Sequence, residues 1–251
     1  MKILAFFTIA LLIGASGFTQ TTENDTKPEA MWAIYPAYSF QWPGGDMAER
    51  FGANSTIGPG FFYKSASNWV YNADINFLFG NKINEDSLIQ NLINSDGFVI
   101  DDQGHYAEIS FFERGFYTQG RIGKLIPLSD KNLNSGILLM AGAGYMQHRI
   151  HIEVKNKAAS PLKDDYKKGY DRYTNGFSAS QFIGYMHIGK ARFTNFFIGA
   201  EFVQAWTKNR RSMNFDTMQR DDKDRFDFLG GIKVGWVIPF NKREPEDFYY
   251  Y

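Results

Sequence analysis

The 251-residue chain carries 27 basic and 27 acidic side chains, so no net field draws it toward nucleic acid. It has no cysteine, which excludes a disulfide framework, a thiolate metal site and a lipidated cysteine anchor. With 24 Phe, 14 Tyr and 24 Gly and little helical periodicity, the composition points to an all-β protein.

Residues 1–20, "MKILAFFTIALLIGASGFTQ", are expected to be a signal peptide. Lys2 supplies the positive end, residues 3–13 the apolar stretch, and residues 15–17 or 17–19 the small-residue cleavage site. A short polar segment, 21–30, follows. No later stretch approaches 18 uninterrupted apolar residues, so no transmembrane helix is expected. That leaves a membrane barrel open.

Eight extended segments then succeed one another, at 31–42, 54–64, 69–80, 116–127, 136–154, 176–188, 193–208 and 225–240. In "WVYNADINFLFG" Trp69, Tyr71, Ile75 and Phe77 share one face, while Asn72, Asp74 and Asn76 share the other. In "NFFIGAEFVQAW" Phe196, Ile198, Phe202 and Trp206 lie opposite Gly199 and Glu201. Alternation sustained over ten or more residues is a strand signal. Connections alternate long and short: 65–68, 128–135 and 189–192 are tight, and the rest are excursions. An up-and-down meander puts alternate connections on one side, as outer-membrane barrels do with short periplasmic turns and long external loops. The expected fold is therefore a closed eight-stranded antiparallel up-and-down transmembrane β-barrel over 31–240, with long external loops. Both chain ends, including a tail at 241–251, fall on the periplasmic side of the cell outer membrane.

A soluble lipocalin-like barrel is the rival architecture. It would carry its apolar face inward and Lys, Thr, Ser and Glu outward. Here the oily faces end in Trp69, Tyr185, Trp206 and Trp236, which suits interfacial aromatic girdles. Oily faces thus meet the lipid bilayer, and the faces bearing Gly and charge point into the lumen. A buried charge demands a partner, so Asp74 and Glu201 are expected to form a lumen network with Lys233 and at least one of the basic pair Arg121 and Lys124.

No cofactor or metal site is expected. His148 and His151 are three apart in "HRIH", on opposite strand faces, which is wrong for a shared metal. The four histidines read as ordinary rim residues, although His148 with Ser178 or Ser180 on the next strand would suit a lipid-deacylating site. "DDYKKGYD" is acidic but lacks calcium-loop spacing. In the loop at 81–115, Leu88 and Leu92 recur at helical spacing, capped by Asn84 or Asp86, as a lid over the barrel mouth or a docking surface. Tyr166, Tyr170, Tyr173, Arg210 and Arg211 are candidate anchors for a partner on the later loops.

The segments "YKSASNWVYNADINFLFG", "FFERGFYTQGRIGKLIPL", "AGAGYMQHRIHIE" and "DDYKKGYDRYTNGFSASQFIGY" resemble the small outer-membrane barrel proteins of the Bacteroidetes. The resemblance implies the barrel and its location, and supplies no functional residue. Such barrels include accessory components of the type nine secretion apparatus and of barrel-assembly complexes. The expected function is accordingly non-enzymatic, a structural or interaction subunit with protein partners in the outer membrane or periplasm. The alternatives are a lipid A deacylase or acyltransferase, and a narrow pore.

Overall fold

The computed structural model describes residues 28–85, 87–155, 159–189 and 193–240. The leader at 1–20, most of 21–30, Asp86, most of the 189–192 turn and the tail at 241–251 lie outside them. Eight long strands follow in order: β1 (Met31–Gly45), β2 (Asn54–Lys64), β3 (Trp69–Gly80), β4 (Ile109–Pro127), β5 (Gly136–Val154), β6 (Thr174–His187), β7 (Phe196–Asn209) and β8 (Asp224–Trp236). A two-residue β9 (Ile238–Pro239) follows β8, and one helical turn, α1 (Asp46–Arg50), sits after β1.

Each strand pairs antiparallel with the next, and β1 pairs with both β2 and β8. The eight-stranded ring is closed, so no main strand is left with a free edge. Burial alternates with period two and in the inverted sense. On β3 Trp69, Tyr71, Ile75 and Phe77 are exposed, while Asn72, Asp74 and Asn76 are buried. β7 repeats the pattern, with Ile198, Phe202 and Trp206 outward and Glu201 fully buried. Water does not select such a surface; hydrocarbon does.

The interior is filled in three layers along the barrel axis. Met31, Ala33, Phe62, Leu125, Phe182 and Val237 pack at the short-turn end. Met47, Phe51, Leu88, Met146, Ile150 and Leu229 pack at the long-loop end. Polar and charged side chains occupy the middle.

β1, β6 and β7 differ from the expected bounds by one to three residues at an end, and β4 and β8 differ more. β4 begins at Ile109 rather than 116, because Ile109–Phe112 pair with His151–Val154 beyond the reach of β3 and β6. Those four-residue arms form a ribbon rising about 13 Å above the ring. β8 stops at Trp236 because the Val237 N–H donates to the Asn195 carbonyl (2.8 Å). β9 then resumes the same register on β1, with Ala33 opposite Pro239.

Tyr35 shows how tightly the interior is fitted. Its ring stands over Gly60 on β2, where a Cβ would lie 2.1 Å from ring carbon Cζ. Gly60→Ala should displace that ring and lower the unfolding free energy by about 1–3 kcal/mol. A urea titration of the detergent-folded protein measures this, and an unchanged midpoint would show the ring free to move aside.

Candidate functional site

The centre of the lumen is a balanced four-charge cluster. Arg121 on β4 lies between two carboxylates: Nη1 pairs with Asp74 of β3, and Nη2 reaches Glu201 of β7 at 2.7 Å. Lys233 of β8 donates to the same two groups, at 2.9 Å to Glu201 and 3.2 Å to Asp74. Neutral groups take up the remaining valences. The Tyr117 hydroxyl donates to Glu201 (2.8 Å), Tyr35 donates to Asp74 (3.2 Å), and Asn76 donates to Asp74 (2.8 Å). Arg121 Nε donates to Ser180 (2.8 Å). Gly142, beside Arg121, leaves room for its side chain: a Cβ there would lie 2.8 Å from Arg121 Cγ.

Asp74, Glu201, Lys233 and Arg121 therefore meet, and Lys124 does not join them. Lys124 is an odd number of residues from Arg121, so the pleat turns it outward. Its Nζ donates to the Ser67 carbonyl (2.7 Å) and lies 5.1 Å from the Trp69 ring centroid.

A second buried cluster lies toward the long loops. Asp227 of β8 accepts from Arg50 (3.2 Å) and Thr207 (2.5 Å), and its other contact is His148 Nε2 (2.9 Å). His148 is fully buried, with the Phe51 ring edge-on to it at 5.4 Å, so it is no rim residue. Ser178 and Ser180 are spent on Gln119 and Arg121. The registers place Ser178 opposite Gly144, four residues from His148 and about 13 Å along the strand. The His–Ser pair required for lipid deacylation is thus not assembled there. Ser135 Oγ comes 3.4 Å from His187 Nδ1 at the short-turn end, but it donates to the Ile188 carbonyl (3.2 Å) and clasps the turn. Among the described residues no group of three or more His, Cys, Asp or Glu side chains could hold a metal ion.

Above the clusters the long loops are tied together. Arg172, ahead of β6, grips Asp216 of the β7–β8 loop with both Nη atoms (2.8 and 2.5 Å) and Glu85 of the β3–β4 loop with Nε (2.7 Å). Asn91 donates to the Tyr170 hydroxyl and to the Phe215 carbonyl, bridging the same three loops. Leu88 is buried in the upper apolar cluster with Leu92 against it, as a 3₁₀ turn (Gln90–Leu92) without a side-chain cap. Asn84 instead donates to the Ala48 carbonyl. Tyr170 is buried and stacks edge-on against Phe215, whereas Tyr166 is exposed. Tyr173 lies beneath the Arg211 guanidinium (4.9 Å), which also pairs with Asp171, and Arg210 donates to Asn175 (2.7 Å).

The loop tips are pinned as well. Lys163 pairs with Asp102, and the Ser160 N–H also donates to it (2.9 Å). These contacts, the Lys163 bond first, hold the Asp102 carboxyl down at about 2. The stabilisation is present above the ordinary Asp value near 4 and is lost as pH falls through about 2. Hydrogen exchange at residues 96–105 should accelerate across that window. Asp102→Asn should remove the pH step, and a step retained in the variant would assign it elsewhere.

Sequence reasoning missed Tyr35, Tyr117 and Arg50, and it put Asn76 and Asp227 on inward faces without joining them to a network. Asp227 was legible as an inward charge on "RFDFLGG"; Arg50 was not, because it enters from a loop.

No family model matches the chain, and no curated protein matches it. Solved structures similar in architecture include Ail, the attachment invasion locus protein of Yersinia pestis, at 9% identity and a TM-score of 0.41. That alignment covers 84% of this chain and 99% of Ail. Ail in complex with the heparin analogue sucrose octasulfate aligns at 9% identity and a TM-score of 0.39, over 84% and 99% of the two chains. The outer membrane protein OprG from Pseudomonas aeruginosa aligns at 10% identity and 0.38, over 86% of this chain and 98% of OprG. None of them links the chain to a Bacteroidetes family. The barrel assignment stands on the closed hydrogen-bond ring itself.

Proposed function

We propose that the chain is a sealed, non-enzymatic outer-membrane barrel and an interaction subunit of an envelope assembly, of the secretion or barrel-assembly kind. Its long loops are external and its chain ends periplasmic. One observation carries this reading: Arg172 fastens three long loops into a single braced platform. A channel would keep its mouth open, and a lipid-modifying site would need a free nucleophile. A braced platform suits recognition, because little ordering entropy remains to be lost on binding. At its periphery Phe98 and Tyr106 stack at 4.5 Å, both about half exposed, with Ile100 beside them. An apolar patch of that kind outside the bilayer fits a protein partner.

The test is a mild-detergent pull-down of tagged protein from its own outer membrane. The expected result is a stoichiometric protein partner that is lost in Phe98→Ser/Tyr106→Ser. A lone monomer, with altered lipid A in a deletion strain, would replace this reading with the enzyme. Discrete conductance steps in planar bilayers would replace it with the pore.

A further inference from the structure

The outward faces of β4 and β5 hold a charge arrangement that the interior networks do not use. Arg114 and Arg149 lie directly opposite one another across the strand pair. Like charges in that position repel, so the pairing is unfavourable for the barrel by itself. Arg114 packs its guanidinium over the Phe112 ring (4.9 Å) and donates Nη1 to the Glu113 and Gly80 carbonyls (2.8 and 3.5 Å). Among the described residues no carboxylate lies within ion-pair distance of it. Arg149 is half exposed, and its nearest carboxylate, Asp171 at 4.0 Å, already pairs with Arg211. His151 lies two residues further along the same face, and Lys167 reaches the adjacent Ile152 carbonyl (3.2 Å). The first acid on that face is Glu153, beyond His151.

Height decides what this patch meets. Phe116 and Tyr145, whose rings lie 6.1 Å apart, belong to the outward apolar belt. Arg114 stands two residues beyond Phe116, about 7 Å along the strand, and Arg149 four beyond Tyr145, about 14 Å along it, which at a tilt near 45° are heights of about 5 and 10 Å. Lipid headgroups lie in that zone. Arg114 leans toward Gly80 on β3 and Arg149 toward Asp171, but their backbones are directly opposed, so both long side chains can turn to one phosphate between them and grip it by charge-assisted hydrogen bonds.

We propose that Arg114 and Arg149 form a binding site for the phosphate of a lipid headgroup in the leaflet on the long-loop side. The inference rests on the membrane-barrel reading above. The phosphate relieves the arginine repulsion, while Phe116, on the bilayer side of Arg114, contacts the apolar part of the same lipid.

Native mass spectrometry of the full detergent-purified chain tests it, with dioleoyl phosphatidic acid and dioleoyl phosphatidylcholine as probes. Phosphatidic acid is expected to bind at least about tenfold more tightly, with the preference lost in Arg114→Gln/Arg149→Gln. It should be kept in Arg114→Lys/Arg149→Lys and in the control Lys155→Gln/Arg220→Gln. Equal binding of the two lipids, or a preference surviving in the glutamine pair, overturns the proposal. Full displacement of the lipid by millimolar inorganic phosphate overturns the lipid assignment in favour of a free anion. Heat-modifiable migration, which does not depend on these arginines, reports separately whether the chain is a membrane barrel.

Discussion

Arg121→Met is expected to lower the unfolding free energy of the detergent-folded barrel by about 3–5 kcal/mol, the cost of breaking a buried ion pair. The substitution leaves Asp74 and Glu201 facing each other with only Lys233 between them. It also strips the Ser180 hydroxyl of its donor. Neither carboxylate can turn to water, because both side chains are almost wholly buried. Arg121→Met/Glu201→Gln restores the charge balance and should recover a substantial part of the loss, a non-additivity a double-mutant cycle reads directly. Lys124→Met, three residues away on the outward face, should cost about 0.5–1 kcal/mol, as exposed cation contacts do. Urea titration and the temperature of the heat-modifiability transition report all three. If Arg121→Met and Lys124→Met behave alike, the lumen network does not hold the barrel together.

Arg172→Ala should release the platform without melting the barrel. It removes a two-point grip on Asp216 and a further bond to Glu85, from a side chain only 8% exposed. One hydrogen bond to a charged group contributes about 1.5–3 kcal/mol, so the loops should open at least about tenfold more often. Limited trypsin digestion at Lys163, Lys167 and Arg220 measures that opening. Arg172 also has a positive φ, 48°, which an L side chain adopts at a cost. Arg172→Gly relieves that backbone strain while deleting the same contacts, so it should open the loops like the alanine variant with less loss of overall stability. Cleavage at the parent rate in both variants would mean that the loops are held by apolar packing alone.

Period-two alternation made most of the barrel legible. β2, β3 and β5 run as the pattern predicts, because a strand between lipid and a polar lumen has to change character at every residue. Where other constraints enter, the pattern fades. The ribbon at Ile109–Phe112 was hidden by "SFFERG", because above the bilayer neither face has to be oily and adjacent phenylalanines carry no penalty. The same alternation decides between Arg121 and Lys124, since their odd separation lets only one of them face the lumen. Asp74, Glu201 and Lys233 were readable as inward charges, since each interrupts no oily face. Their neutral partners were not: Tyr35 and Tyr117 look like any aromatic residue until the ring geometry turns their hydroxyls inward. The loop clamp was the least visible, because Arg172, Glu85 and Asp216 are far apart in the chain and share no periodicity.

Closure between β1 and β8 sets when this molecule can fold. The pairing of Ala37 with Gly235 joins residues near opposite ends of the described chain, so the seam is a contact of very high order. Until β8 arrives, β1 has one row of backbone donors and acceptors unmatched, and every partial sheet offers a bare edge to its neighbours. An incomplete chain is therefore not a smaller version of the product but an aggregation template. The ring can therefore complete its hydrogen bonding only once its last strand is present.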